Sequence, residues 1–203
     1  MYQIKFILLS LCLLNSQLAH ARDLMFYGKS FSPENISFEI KNKGVFLVNN
    51  TIQQSPILQA ELNNAIRAGE SRWLDLFIIL RQHPEAEWGG LLDWSLAYAI
   101  EKNPNNTLTV IKNYHEKYNN YFVENLLPPY AELICGNVDE DWALGCSLDG
   151  EVLVIGEQSH NTLEKRKKAL ESIDDPGLLY VKDVCVKKVN QTIGFWRRFI
   201  KSY

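Results

Sequence analysis

Residues 70–82, ESRWLDLFIILRQ, decide the fold of this chain because their apolar side chains occupy nearly every face of a helix. A helix of this kind is stable only when other elements surround it. Pro84 stops the segment shortly after its last apolar residue. We therefore predict a central buried helix in which Trp73, Phe77 and Leu80 share one side.

Helix signals continue on both sides of this segment. Ser55 is a good N-cap, Pro56 suits the first helical position, and apolar residues then recur with helical spacing as far as Ile66. Further helices are predicted at residues 88–102, 107–118, 159–173 and from 176 to 189 or beyond. Residues 136–158, which directly precede the predicted helix at 159–173, are predicted to be non-helical.

The predicted fold class is mainly α, with about six to eight short helices packed antiparallel, because tight turns between short helices favour neighbouring pairs. The array is either an irregular bundle or, over residues 56–135, an arrangement that resembles HEAT-like helical repeats. Residues 55–203 are interpreted as one helical domain and residues 22–54 as an N-terminal arm. The alternation in residues 36–40 and 45–48 predicts a β-hairpin within this arm, and an extended arm that lies on the body is the alternative.

The first 21 residues have the pattern of a secretory signal peptide: Lys5, a nine-residue apolar run and the cleavage site Ala19-His20-Ala21. Nine apolar residues are about half of the ~20 that a membrane-spanning helix needs. We therefore expect a mature protein that begins at Arg22, without stable membrane insertion. The periplasm is the expected location, and the extracellular space is the alternative.

The charge of the chain argues against a nucleic-acid partner. Its 21 Lys and Arg against 24 Asp and Glu give a net charge of −3, whereas phosphate backbones require a clustered basic surface. The basic runs at residues 165–168 and 196–198 are interpreted as solvated helix faces, and an acidic partner or anionic lipid is the alternative.

Three cysteines remain after signal cleavage, and an oxidising compartment favours pairing of two of them. Cys135 and Cys146 are the preferred pair because the glycine-containing loop between them closes at small entropic cost. Cys185 is the alternative partner. The sequence leaves the connectivity open.

No residue pattern assigns a catalytic, metal or cofactor site. The three histidines that remain in the mature chain, His83, His115 and His160, lack zinc-ligand spacing. A calcium loop starting at Asn137 lacks the glycine and glutamate that an EF-hand requires. The carboxylates of Glu85, Glu87 and Asp93 are candidates for acid–base chemistry, although such charges are also typical of helix starts.

The acidic residues Asp139, Glu140 and Asp141 with the neighbouring Trp142 are the candidate contact site for a basic partner. We therefore expect an exported, non-enzymatic protein that binds another macromolecule, for example an immunity or inhibitor protein against a secreted toxin. The expected partner is a protein, either a basic toxin or an envelope enzyme. The alternatives are a cell-envelope hydrolase that uses unrecognised carboxylates and a carrier of a small apolar ligand. Residues 195–203 are a tail that either docks on the body or stays free.

Overall fold

The computed structural model describes residues 24–81, 86–118, 134–136 and 149–202, and these residues form a mainly helical protein. At the N-terminal end, strand β1 (Met25–Phe26) pairs antiparallel with β2 (Lys29–Ser30). Tyr27 and Gly28 form the turn with φ of 51° and 76°, the left-handed conformation that tight hairpin turns require.

The predicted hairpin therefore exists, but its predicted position was wrong. Helices α1 (Pro33–Lys43) and α2 (Val45–Gln53) occupy the residues that were expected to form strands. The side chain of Ser32 accepts a hydrogen bond from the backbone of Asn35, which caps α1, and Gly44 with φ of 88° separates the two helices. Short alternating runs also fit a helix, because Ile36 and Ile40 lie one turn apart on its inner side.

The middle of the chain follows the sequence prediction closely. Helices α3 (Pro56–Arg67), α4 (Ser71–Leu80), α5 (Ala86–Lys102) and α6 (Pro104–Tyr118) each correspond to a predicted helix. The side chain of Ser55 caps α3 by accepting a hydrogen bond from Leu58, as expected for Ser before Pro.

Helix α4 is the surrounded helix that its composition predicts. It packs against α1, α2, α3 and α6. Five of its ten residues are buried: Trp73, Leu74, Leu76, Phe77 and Leu80. Helix α5 shares the centre, because it packs against α3, α6 and α7 and is buried at almost every position from Leu92 to Ile100.

The C-terminal part consists of two long helices that pack against each other along their length. Helix α7 (Asp149–Glu171) leads through a 3₁₀ turn (Pro176–Leu178) into α8 (Leu179–Ser202). The expectation that residues 136–158 are non-helical was wrong from Asp149 onward, because α7 begins about ten residues before its predicted start. Helix α8 continues past Gly194, and Trp196 is buried, so the described part of the predicted tail, residues 195–202, is helical and packs on the body through Trp196.

Candidate functional site

A disulfide between Cys135 and Cys185 joins the short helical stretch 134–136 to α8. Both cysteines are fully buried, and their Cα atoms are 5.1 Å apart. This pairing takes Cys135 out of the preferred bond with Cys146, which lies outside the described residues. Cys185 is in the buried stripe of α8 with Val181 and Val189, so packing brings together two cysteines that are 50 positions apart in sequence.

The disulfide is next to a buried arginine that sequence reasoning placed in solvent. Arg166 of α7 is fully buried, whereas the basic run at residues 165–168 was interpreted as a solvated face. Its position follows from the helix period, because Leu163 and Leu170 lie on the same inner face. Arg166 Nη1 donates a hydrogen bond of 3.0 Å to the carbonyl oxygen of Cys135.

Helix α5 supplies two further groups next to Arg166, Tyr98 and Glu101. The Tyr98 ring centroid is 5.6 Å from the guanidinium carbon, and Glu101 Oε1 is 3.9 Å from Arg166 Nη2. Burial lowers the pKa of Arg166 to about 10, which still leaves it protonated at neutral pH, and the charge of Glu101 opposes this shift. Burial also raises the pKa of Glu101, and the Arg166 charge opposes that change. The cluster therefore holds residues 134–136, α5, α7 and α8 together.

The cluster also positions the start of the proposed partner-binding segment. A Cβ atom on Gly136 would lie 2.9 Å from Lys188 Cγ and 3.2 Å from Thr192 Oγ1, so the backbone runs directly against α8 at this point. Asp139, Glu140, Asp141 and Trp142 follow a few positions later and lie outside the described residues. The structure thus fixes the attachment point of this segment, and its contact role stays a prediction.

The carboxylate that was considered for acid–base chemistry is engaged in a structural ion pair. Asp93 of α5 is buried and accepts two hydrogen bonds from Arg81, of 2.7 Å from Nε and 2.9 Å from Nη2. This bidentate contact joins the end of α4 to α5. The side chains of Glu85 and Glu87 lie outside the described residues.

Of the three histidines, His160 is the one whose side chain is described. Its Nε2 accepts a hydrogen bond of 3.1 Å from Arg197 Nε, and Arg197 Nη2 also donates to Glu164 Oε1 at 2.8 Å. His160 and Arg197 border an open groove of about 360 Å³ between α7 and α8, which is also lined by Glu157, Asn161, Ile200 and Lys201. Among the described residues, no cluster of three or more His, Cys, Asp or Glu side chains is arranged to hold a metal ion.

Several large apolar side chains project into solvent from the first three helices, and sequence reasoning missed them. Phe46 of α2 and Ile57 of α3 are 63% and 67% exposed, and Phe38 and Leu47 are about half exposed. Phe38, Phe46 and Leu47 lie in segments that were predicted as strands or an extended arm, whereas Ile57 was counted with the apolar residues of the predicted helix that begins at Pro56. Once helix α1 is assigned, Phe38 falls two positions from the buried Ile36 and therefore faces outward.

Comparison with known proteins gives no assignment: no protein-family model, curated protein or solved structure shows a significant match to the chain. In the part of the chain that the structure describes, no helix is both long and apolar enough to cross a membrane.

Proposed function

We propose that this chain is an exported, non-enzymatic protein that binds another protein, in the manner of an immunity or inhibitor protein. The observation that carries the binding proposal is the exposure of Phe38, Phe46, Leu47 and Ile57 on three successive helices. Large apolar and aromatic side chains at a surface are typical anchors of protein interfaces. Their rigid helical base lowers the entropic cost of binding.

Export is supported by the disulfide as well as by the signal-peptide pattern. A buried Cys135–Cys185 bond is typical of proteins that fold in an oxidising compartment. The periplasm, with the extracellular space as the alternative, is therefore the proposed location. A toxin that acts on the cell envelope would meet the protein there.

The acidic segment at residues 139–142 is proposed as the rim of the contact site, and it supplies charge complementarity to a basic partner. Its attachment to the Cys135 cluster supports this role, because a fixed starting point limits the freedom that binding must remove. The apolar anchors would then supply the slow dissociation and the acidic rim the fast association.

The test uses a secreted toxin encoded beside the gene of this protein. Cells that export the toxin should survive when they also export the full chain and should die when the chain lacks residues 1–21. Phe46→Ala with Ile57→Ala should raise the Kd of the purified pair at least about tenfold. Leu179→Ala with Tyr180→Ala is the matched control, since both residues are exposed on a different helix.

A second pair of variants tests the acidic rim. Asp139→Lys with Asp141→Lys should slow association and weaken its dependence on salt, while Trp142→Ala should mainly speed dissociation. Asp75→Lys with Asp183→Lys makes the same charge change at exposed positions on α4 and α8. Unchanged binding by both the apolar and the acidic variants would rule out the proposed contact surface.

A further inference from the structure

Helix α8 carries a local charge opposite in sign to that of the molecule. It contains six Lys or Arg residues and one carboxylate, Asp183, in a chain with a net charge of −3. No Asp or Glu follows Asp183 in the remaining twenty residues of the sequence. Such a segregated positive charge creates an attractive field for anionic surfaces that the average composition conceals.

Three of the six cations lie in the last two turns of α8, where Arg197 and Lys201 also border the groove between α7 and α8. The buried stripe of this helix ends with Ile193 and Trp196, whereas Arg197, Arg198 and Lys201 are exposed. Arg198 and Lys201 are three positions apart, so their side chains are neighbours on the helix surface. Within the described ranges, no carboxylate forms an ion pair with either of these two side chains.

An aromatic side chain projects beside these cations. Phe195 is 45% exposed and lies three positions before Arg198 on the outer side of the helix. Its ring meets the ring of Trp196 edge to face, with centroids 5.4 Å apart. Trp196 is only 4% exposed, so this contact joins the partly exposed ring of Phe195 to the buried side of α8.

We propose that residues 195–201 dock this protein on an anionic lipid surface. Cations next to an exposed aromatic ring are the composition of helices that lie at the lipid interface, where the ring enters the headgroup layer and the cations attract anionic lipids. Phe195 and Arg198 are both exposed on the side of α8 away from its buried stripe, where a lipid surface can reach them together. Arg197 is already engaged by Glu164, so Arg198 and Lys201 provide most of the attraction.

This inference concerns a different face from the contact surface proposed above and does not depend on it. Docking through α8 leaves Phe46 and Ile57 of the N-terminal helices available for a protein partner. The protein would then be concentrated at the envelope membrane while that partner binds.

The full-length gene is expressed, and the protein recovered after export is used once its mass has been checked. Its co-sedimentation is measured with vesicles of phosphatidylcholine containing about 30% phosphatidylglycerol and with vesicles of phosphatidylcholine alone. Binding should require the anionic lipid and disappear in about 0.5 M salt. Arg198→Glu with Lys201→Glu should lower binding by at least about tenfold. Phe195→Ala should lower it severalfold at every salt concentration where binding is measurable.

The matched control is Lys41→Glu with Lys168→Glu, which changes the charge equally at two exposed helix ends elsewhere. It should retain most of the binding. Arg198→Gln with Lys201→Gln provides a milder variant if the double reversal lowers the thermal unfolding temperature. The proposal is overturned by equal binding to neutral and anionic vesicles, by an equal loss in the control, or by binding of soluble polyglutamate without binding of vesicles, which would indicate an acidic protein partner.

Discussion

Helix α5 meets one arginine near its middle, at Asp93, and another near its C-terminal end, at Glu101, and the two arginines are held in different ways. Arg81 keeps 20% of its side chain exposed and forms two direct hydrogen bonds with Asp93. Arg166 is fully buried, stands 3.9 Å from Glu101 and donates to the backbone carbonyl of Cys135. The first arrangement is an ion pair between two helices, whereas the second uses a buried cation to hold a backbone segment.

The difference extends to the regions around the two arginines. The N-terminal region, α1 to α6, is stabilised mainly by the apolar packing around α4. The C-terminal region, residues 134–136 with α7 and α8, adds a covalent bond and a desolvated charge to its packing. A buried charge is costly unless its partners are in place, so the C-terminal region depends on specific covalent and polar contacts as well as on its apolar packing.

The largest effect should come from breaking the packing of the N-terminal region. Phe77→Ala removes a fully buried ring from α4 and should lower the free energy of unfolding by about 3–5 kcal/mol. Ile57→Ala, at a side chain that is 67% exposed, should change it by less than about 0.5 kcal/mol. Chemical denaturation of the three proteins gives both numbers. Equal stability of Phe77→Ala and wild type would contradict the central placement of α4.

The next effect should come from breaking the covalent link of the C-terminal region. Cys135→Ala with Cys185→Ala opens a bond that spans 50 positions and should cost about 2–4 kcal/mol. Cys146→Ala is the control and should leave stability unchanged. Denaturation under non-reducing conditions distinguishes them. If Cys146→Ala proves to be the costly change, the connectivity described here is incorrect.

Loss of either carboxylate on α5 should lower the free energy of unfolding by a smaller amount, and the two amounts should differ. Asp93→Asn removes the charge that holds Arg81 in a bidentate contact and should cost about 2 kcal/mol. Glu101→Gln should cost less than about 1 kcal/mol, because the carboxylate is desolvated and lies farther from its arginine. Urea titration of both variants at neutral pH measures the difference. Equal costs would mean that the two arginine sites are equivalent after all.

The smallest effect concerns pH, and two glutamates should give opposite signs. Burial raises the pKa of Glu101, so the folded state keeps this proton longer than the unfolded chain, and stability falls as the pH rises through that range. The variant Glu101→Gln lacks this loss, so its cost relative to wild type should shrink as the pH rises from about 4 to 7.

Glu39 of α1 behaves in the opposite way. The hydrogen bond from Lys29 lowers its pKa, with a further contribution from Lys43, so its stabilisation is present at neutral pH and is lost as the pH falls through the lowered pKa. Glu39→Gln should cost stability at about pH 7 and progressively less towards about pH 3. Thermal unfolding across this range tests both variants, and the same sign for the two would contradict the assignment.

The parts of the fold that follow local rules were predictable from the sequence. Ser55-Pro56 marks the start of α3, and the apolar side chains on nearly every face of residues 70–82 indicate a buried helix. The start of α7 was not predictable in this way, because Gly150 and Gly156 lower its intrinsic helix propensity by about 1 kcal/mol each. Packing of α7 against α8 provides the stabilisation that the local helix propensity does not.

The candidate site was predictable only in outline. Cys135 was recognised as a disulfide partner, but the loop-closure argument favours the nearest cysteine, whereas the tertiary fold selects Cys185. Arg166 was hidden in a run of four basic residues, although its spacing from Leu163 and Leu170 contained the signal. This spacing places Arg166 on the apolar side of the helix, but its complete burial depends on the neighbouring elements, which the sequence does not reveal.

Export of the protein followed by formation of the Cys135–Cys185 bond is the central claim, and one measurement tests both steps. Intact-mass analysis and non-reducing peptide mapping are applied to the protein recovered from the exported fraction of a bacterial host. We expect a chain that begins at Arg22, a cross-linked peptide containing Cys135 and Cys185, and an alkylated Cys146. Recovery of a cytoplasmic chain that retains residues 1–21 and has every cysteine alkylated would contradict the account.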